Sequence, residues 1–334
     1  MYLIYEKIII TFILLFIFWF SITSFKLNPI DNSITYIPIA FSLGNSYIYP
    51  LLVLLTSILY NSKSSTLYYF HIMITNDFFE ENKQKIKGLC KKYKRCEIKF
   101  LNMGKKYKDW KTKKHYSKAV YYRLSLSDLV KNFDKIIYLD CDVMVHNDLT
   151  NFYNIEMGDK FYMGFPGLEV AYLKINGTRN FINSGVMLIN LKLLRKVNAS
   201  ILFDKYYYTY GTKKEDEYLI NVIFYNKISF LPVEYGIPDF EKRNKFVPSP
   251  SKFWKRFKGY SNCTEKEMIL ASNNRIITHG AYTYDKWWRR NYNSLTEIGK
   301  KWIYYASKSN VFKEICNTFK QYRKVCSKLK KKNL

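Results

Sequence analysis

Residues 135–149 read KIIYLDCDVMVHNDL, and this stretch decides how the rest of the chain is read. Four apolar residues, Ile136, Ile137, Tyr138 and Leu139, lead to Asp140 and Asp142 with Cys141 between them; Val143, Met144 and Val145 follow. A short β-prone run between polar neighbours predicts a buried parallel strand. Side chains two apart in an extended chain share a face, so both carboxylates converge where the strand ends. Open α/β sheets take their ligands at that end of their strands. Two carboxylates facing one spot repel unless a positive charge sits between them. A hard divalent cation shared with diphosphate oxygens meets that need. Two solvated aspartates would read the same in isolation, so the neighbouring segments have to decide.

On either side of this strand the pattern alternates. Residues 35–42 (TYIPIAFS) predict a strand, 43–46 a turn around Gly44, and 47–60 an apolar helix. Residues 66–75 (TLYYFHIMIT) and 96–101 predict two further strands with a charged helix, 78–93, between them. Strand, helix, strand, helix at this spacing implies a parallel sheet with helical crossovers. A helix over 116–130 carries Arg123 into the central strand. After it, 161–167 and 181–191 (FINSGVMLINL) read as strands, with a loop containing Gly177 between them. Helices are expected at 193–210 and 215–225, a basic irregular loop at 242–259, and a short strand at 275–278 that ends at His279.

Composition bounds the rest. A chain of 334 residues that is 48% hydrophobic, with 31 Tyr and 24 Phe but only 13 Gly and 8 Pro, is neither disordered nor fibrous. Its length suits one large α/β domain or two small ones. Lys and Arg number 54 against 27 acids, a net charge of +27, which calls for an anionic partner: phospholipid, nucleic acid or a phosphorylated substrate. Residues 83–118 alone hold fifteen Lys or Arg and two acids. The six cysteines show no CxxC spacing, so a zinc site is not expected; disulfides are permitted without being indicated. Sequons at Asn176, Asn198 and Asn262 would accept glycans in a secretory lumen, or arise by chance.

Residues 8–25 carry no charge and are long enough to cross a bilayer as a helix. No small-residue cleavage site follows, which favours an uncleaved anchor over a signal peptide. The expected organisation is an anchor at 1–26, a linker at 27–34, a catalytic-type domain at 35–295 and a basic amphipathic helical tail at 296–334. Residues 311–334 hold eight basic residues and one acid among spaced apolar positions, a pattern suited to an anionic membrane surface or to a plain surface helix.

With these pieces in order, the chain resembles glycosyltransferase family 8, retaining enzymes of the GT-A fold that use UDP-sugars. The resemblance runs from about residue 36 to 288. The first motif is IPIAFSLGNSYIYPLLVLLTSIL (37–59), where the family packs the uridine. It implies donor contacts from Ser42, Asn45 and Tyr47, with Tyr47 stacking on uracil; Gly44 and Ser46 depart from the family's usual Asp and Asn. HYSKAVYYRLSL (115–126) is similar to the segment that places His115 at the acceptor and Arg123 near the donor sugar and Asp140. The Asp-Cys-Asp segment then implies Asp140 and Asp142 as metal and ribose ligands, with Cys141 at the donor. Asn183-Ser184-Gly185 resembles the turn that hydrogen-bonds the donor sugar, so Asn183 and Gly185 join the donor set. Asp216 and Glu217 fall where the family has Asp-Gln, which implies a catalytic set of Glu217, Asp216 and Arg123. Glu217 is a departure whose carboxylate would stabilise an oxocarbenium ion or act as nucleophile. His279, with Lys286 and Trp288 downstream, resembles the motif in which His completes the metal site and Lys contacts the diphosphate; Trp287 stands in place of the family's Pro.

The resemblance therefore implies a mixed, mainly parallel GT-A sheet flanked by helices. It implies Mn2+ held by Asp140, Asp142 and His279, with Mg2+ as the alternative, and transfer of galactose or glucose from a UDP-sugar to a glycan or glycolipid. The chain is expected at the cytoplasmic face of a bacterial inner membrane, or alternatively as a type II Golgi protein. An inactive transferase-like scaffold and a nucleic-acid binder are the rival readings, although no nucleic-acid recognition module is visible.

Overall fold

The computed structural model describes residues 34–112, 117–167, 181–211, 215–240, 249–257, 263–281 and 286–332. The expected anchor at 1–26, nearly all of the linker, His115, Gly177 and the sequons at Asn176 and Asn262 lie outside these residues. Among the described residues, no helix is long and apolar enough to cross a membrane.

Among the described residues the strands are β1 Thr35–Leu43, β2 Thr66–Ile74, β3 Cys96–Asn102, β4 Lys135–Leu139, β5 Val143–Val145, β6 Tyr162–Pro166, β7 Ile182–Asn190, β8 Ile228–Phe230, β9 Tyr235–Pro238 and β10 Ile277–His279. Seven of them make one sheet in the order β3-β2-β1-β4-β7-β6-β8; β5, β10 and β9 make a smaller one. The central strand β4 pairs parallel with β1 on one side. On the other it pairs antiparallel with β7, in keeping with the mixed sheet that the resemblance implied. The sheet is thus mixed and mainly parallel, with β7 running against its neighbours β4 and β6.

Both faces of the central strands β1 and β4 are buried. Ile137 and Leu139 of β4, with Ile37, Ile39 and Phe41 of β1, face a core shared with the helix Ile48–Tyr60. Ile136 and Tyr138 point the other way, toward a core built with Tyr121, Leu124, Leu219 and Ile220. Each fully buried aliphatic side chain contributes about 1.5–3 kcal/mol. A one-residue slip would exchange the two faces of a whole strand, so its register is fixed.

Several elements differ from the sequence expectation. The helix expected over 116–130 is a 3₁₀ segment, Lys118–Ser125, followed by one short helical stretch, Leu126–Leu129. Its β-branched and aromatic residues give little helical propensity, and packing against the sheet decides its shape. The helix expected over 193–210 is two, Leu191–Lys196 and Ala199–Tyr210, broken where Asn198 adopts a left-handed conformation at the second N-cap. Within the basic stretch 242–259, Pro250–Phe257 is a helix rather than a loop, opened by proline at its first position.

The residues expected as a basic helical tail form helices Glu297–Lys308, Phe312–Thr318 and Arg323–Lys332. Trp302, Ile303, Ala306, Ile315, Tyr322 and Cys326 are buried in the same core as β1 and β4. Disulfides join Cys90 to Cys96 and Cys316 to Cys326.

Candidate active site

The two aspartates sit in the link that carries the chain out of β4 and into β5, so a turn brings them together rather than the pleat of one strand. Asp140 N–H donates to the Gly185 carbonyl at 2.8 Å, extending the β4–β7 ladder by one residue. His279 reaches them across a long stretch of sequence because β10 pairs antiparallel with β5, placing His279 opposite Val143. The Gly280 N–H then donates to the Asp142 carbonyl at 2.7 Å. Asp140, Asp142 and His279 each offer a ligand atom within 4.8 Å of the others'.

Four cationic or polar groups are brought to these carboxylates. Lys286 Nζ donates to Asp142 and, at 3.0 Å, to the Gly280 carbonyl. His279 Nε2 lies 3.3 Å from Asp142 Oδ1. Burial alone would raise the Asp142 carboxyl, but Lys286 and His279 outweigh it and hold it well below the usual carboxylate range. The converse holds for Lys286: burial would lower the amine, and Asp142 more than restores it. Asp140 Oδ1 accepts from Arg123 Nη2 at 2.9 Å and from the Tyr138 hydroxyl at 3.1 Å. Because Tyr138 donates there, its oxygen is left to accept from Ser42 Oγ at 2.7 Å. Ser42 therefore supports Asp140 through Tyr138.

Arg123 is nine-tenths buried or more and ties three segments together. Besides Asp140, it pairs with Asp216 at 3.1 Å and donates to the Ser184 carbonyl, while its guanidinium lies 4.2 Å above the Tyr138 ring. Burial raises the Asp216 carboxyl, and Arg123 opposes that rise. Next to it, half-buried Glu217 accepts from Asn183 Nδ2 at 2.8 Å and from Ser184 N–H at 3.1 Å. Asn183 Oδ1 in turn accepts from Gly185 N–H. The site is a continuous network from Ser42 through Asp140 and Arg123 to the helix Glu215–Ile223.

The donor set suits a divalent cation: two carboxylates and one imidazole favour a borderline metal such as Mn2+ over Ca2+. Gly185 supplies the space. A Cβ there would lie 2.1 Å from His279 Cε1, 2.6 Å from Nε2 and 2.8 Å from Asp140 Oδ2, inside the pocket the three ligands share. Gly185→Ala should therefore displace His279 from the aspartates. A loss of metal affinity of at least about tenfold by calorimetry is expected, with the pairing of β7 retained in circular dichroism.

The remaining expected residues fall out differently. Cys141 is buried, its thiol pushed up by burial and directed at the Ser42 carbonyl at 3.8 Å, so it packs the turn. Tyr47 is half-buried beside the site, edge-on to Trp288 with ring centroids 5.9 Å apart. Asn45 is committed elsewhere. Its amide donates to the Asp77 carbonyl at 2.9 Å and accepts from Phe79 N–H and Asn82 Nδ2, which fastens the entrance of the helix Glu80–Tyr93. One of the two amide hydrogens of Asn45 is thus used within the fold, and its oxygen is occupied. Sequence reasoning missed Asp239, which is buried just after β9 and accepts from the Trp287 indole at 2.9 Å and from Thr296 at 2.6 Å. No spacing marks it; only the pairing of β9 with β10 brings it there.

Comparison with known proteins agrees with this picture. The profile described as glycosyl transferase family 8 matches residues 38–238. A Haemophilus influenzae (strain Rd) protein with a provisional glycosyltransferase name is 26% identical over 276 residues, covering 74% of this chain and 82% of its own. Glycosyltransferase GlyF of Streptococcus pneumoniae is 24% identical over 154 residues, 46% of this chain and 36% of that protein. Among solved structures, galactosyltransferase LgtC in complex with donor and acceptor sugar analogs superposes with a TM-score of 0.67 at 19% identity, covering 82% of this chain and 96% of that one. The bifunctional glycosyltransferase WbbM gives 0.67 at 18% identity, and the match spans 87% of this chain but about half, 52%, of WbbM. At these identities the structural likenesses establish the fold.

Proposed function

The chain belongs to glycosyl transferase family 8, and from that premise we propose a metal-dependent, retaining transfer of a hexose, galactose or glucose, from a UDP-sugar to a glycan or glycolipid acceptor. The observation that carries this reading is the convergence of Asp140, Asp142 and His279 in a pocket that Gly185 keeps open. These three would hold Mn2+, or Mg2+ in its place, and the ion would supply Lewis-acid compensation for the charge that develops on departing UDP.

The chain's own residues do the rest. Lys286 brings a charged ammonium to the same carboxylates, where it serves a diphosphate as readily as Asp142. Arg123 orients Asp140 while balancing Asp216. Asn183 and Ser184 present the Glu217 carboxylate as an acceptor beside the pocket. There it stabilises positive charge on the sugar ring or takes the anomeric carbon itself. Tyr47 and Ser42 border the nucleotide side.

Incubating the full chain with a panel of UDP-sugars and Mn2+ should release UDP from one hexose donor well above the others, with the anomeric configuration of that donor kept in the product. No release from any UDP-sugar, in Mn2+ or Mg2+, would overturn the reading. For the compartment, the two disulfides and the exposed Asn198 sequon favour an oxidising lumen and a type II membrane arrangement over a cytoplasmic face. An endoglycosidase-sensitive mobility shift of the native protein tests that choice.

A further inference from the structure

We infer that the C-terminal hairpin, Phe312–Lys332, is a positioning element of the donor site: Tyr322 and Gln321 hold the backbone at Trp287 and Trp288 and thereby keep Lys286 on Asp142. The inference rests on the donor-site reading above and assigns function to residues beyond the span that the family match covers.

Lys286 is joined to Asp142 at one end of a long, rotatable side chain, so its ammonium stays in place only if its backbone does. The backbone anchors follow at once. The Tyr322 hydroxyl donates to the Trp287 carbonyl, and Gln321 Nε2 donates to the Trp288 carbonyl. Tyr322 is fully buried and stacked on Trp302 with centroids 5.9 Å apart; Trp302 also touches Trp288 at 6.1 Å. Asp239 accepts from the Trp287 indole, and that ring lies 3.3 Å from the position a Cβ on Gly280 would take. Trp287 is thus held by its side chain from Asp239, just after β9, and by its carbonyl from the hairpin. The Cys316–Cys326 disulfide closes the hairpin around the short 3₁₀ turn Lys320–Tyr322 that presents both donors. A plain surface helix would not need two side chains aimed at the carbonyls of the segment that carries Lys286. Tyr322 and Gln321 are positioning residues, because they act through Lys286.

The test compares the full chain with Tyr322→Phe, which keeps the ring and removes the donor, and with Gln321→Ala. Hydrogen exchange is measured without nucleotide or metal, and UDP binding by calorimetry in Mn2+. Amides at 287–290 should exchange at least about fivefold faster in each variant, with β4 unchanged, and UDP affinity should fall by about fivefold. In a Lys286→Ala background, Tyr322→Phe should cause no further loss, a pattern that general destabilisation would not give. Unchanged exchange and affinity in both variants would overturn the inference, as would an equal loss in the Lys286→Ala background. If the unsubstituted chain bound no UDP, the donor reading would fall, and the exchange rates alone would decide whether the hairpin holds residues 286–288. Should Tyr322→Phe not fold, Gln321→Ala, at a half-buried position, carries the same comparison.

Discussion

Asp142→Asn should lower sugar transfer by on the order of 1000-fold and weaken metal binding in parallel, while the protein stays folded. The carboxylate is the point on which Lys286, His279 and the proposed cation all bear. Asparagine keeps its size and one acceptor oxygen, so the turn between β4 and β5 and the bond from Gly280 to the backbone carbonyl of residue 142 survive. What disappears is the negative charge. Lys286, whose side chain is 28% exposed, can turn to water, so the fold loses little. The site loses the anionic ligand that holds a divalent ion, and Lys286 loses the partner that keeps it in place. His279→Ala should act on the same binding step by removing the softer ligand. Transfer rates, metal titration by calorimetry and thermal melts separate these effects. A rate and metal affinity equal to those of the native chain would remove the basis for the donor-site assignment, whatever the fold.

The part of this site that the sequence disclosed is the part with local causes. The apolar runs of β1, β4 and β7 announce themselves because both faces of each strand are buried, and the place of the two aspartates follows from where β4 must end, although a turn rather than the strand's pleat brings them together. The 3₁₀ segment around Arg123 and the break at Asn198 were not legible, since tertiary packing and a single left-handed residue decide them. Nor does any spacing predict that β10 lies against β5, which alone brings His279 to Asp142. Resemblance supplied that residue; the register explains it. Asn45 shows the reverse case. Its position beside the nucleotide segment suggested a ligand contact; in the fold its oxygen caps the start of the neighbouring helix and its nitrogen donates to the Asp77 carbonyl, a structural role that no local pattern announced. Asp239 had no local signal, and Tyr322 stood out only as one of the spaced apolar positions at 311–334, because each works on Trp287 from a distant part of the chain.

Arg123→Met should cost about 3–5 kcal/mol of stability, the largest loss expected from any single change in the site. The guanidinium is 5% exposed and is shared by Asp140, whose side chain is 30% exposed, and Asp216, whose side chain is 6% exposed. Methionine fills much of the volume and keeps contact with the Tyr138 ring, so the loss falls on the two stranded carboxylates. Asp140 can draw on water; Asp216 cannot, and carries most of the cost. The sign with pH follows from burial. Asp216 already lies above the usual carboxylate range, because burial outweighs Arg123, and without Arg123 it rises further. A carboxyl raised in the folded state favours folding while protonated, and that contribution is lost as pH climbs from the unfolded carboxyl value toward the folded one. The deficit of Arg123→Met should therefore be larger at pH 8 than at pH 5 in urea denaturation. Adding Asp216→Asn, which removes the stranded charge, should recover a substantial share of the stability and flatten the pH dependence. Equal deficits at the two pH values, with no recovery in the double variant, would mean that Arg123 acts by packing on Tyr138 rather than by joining the two acids.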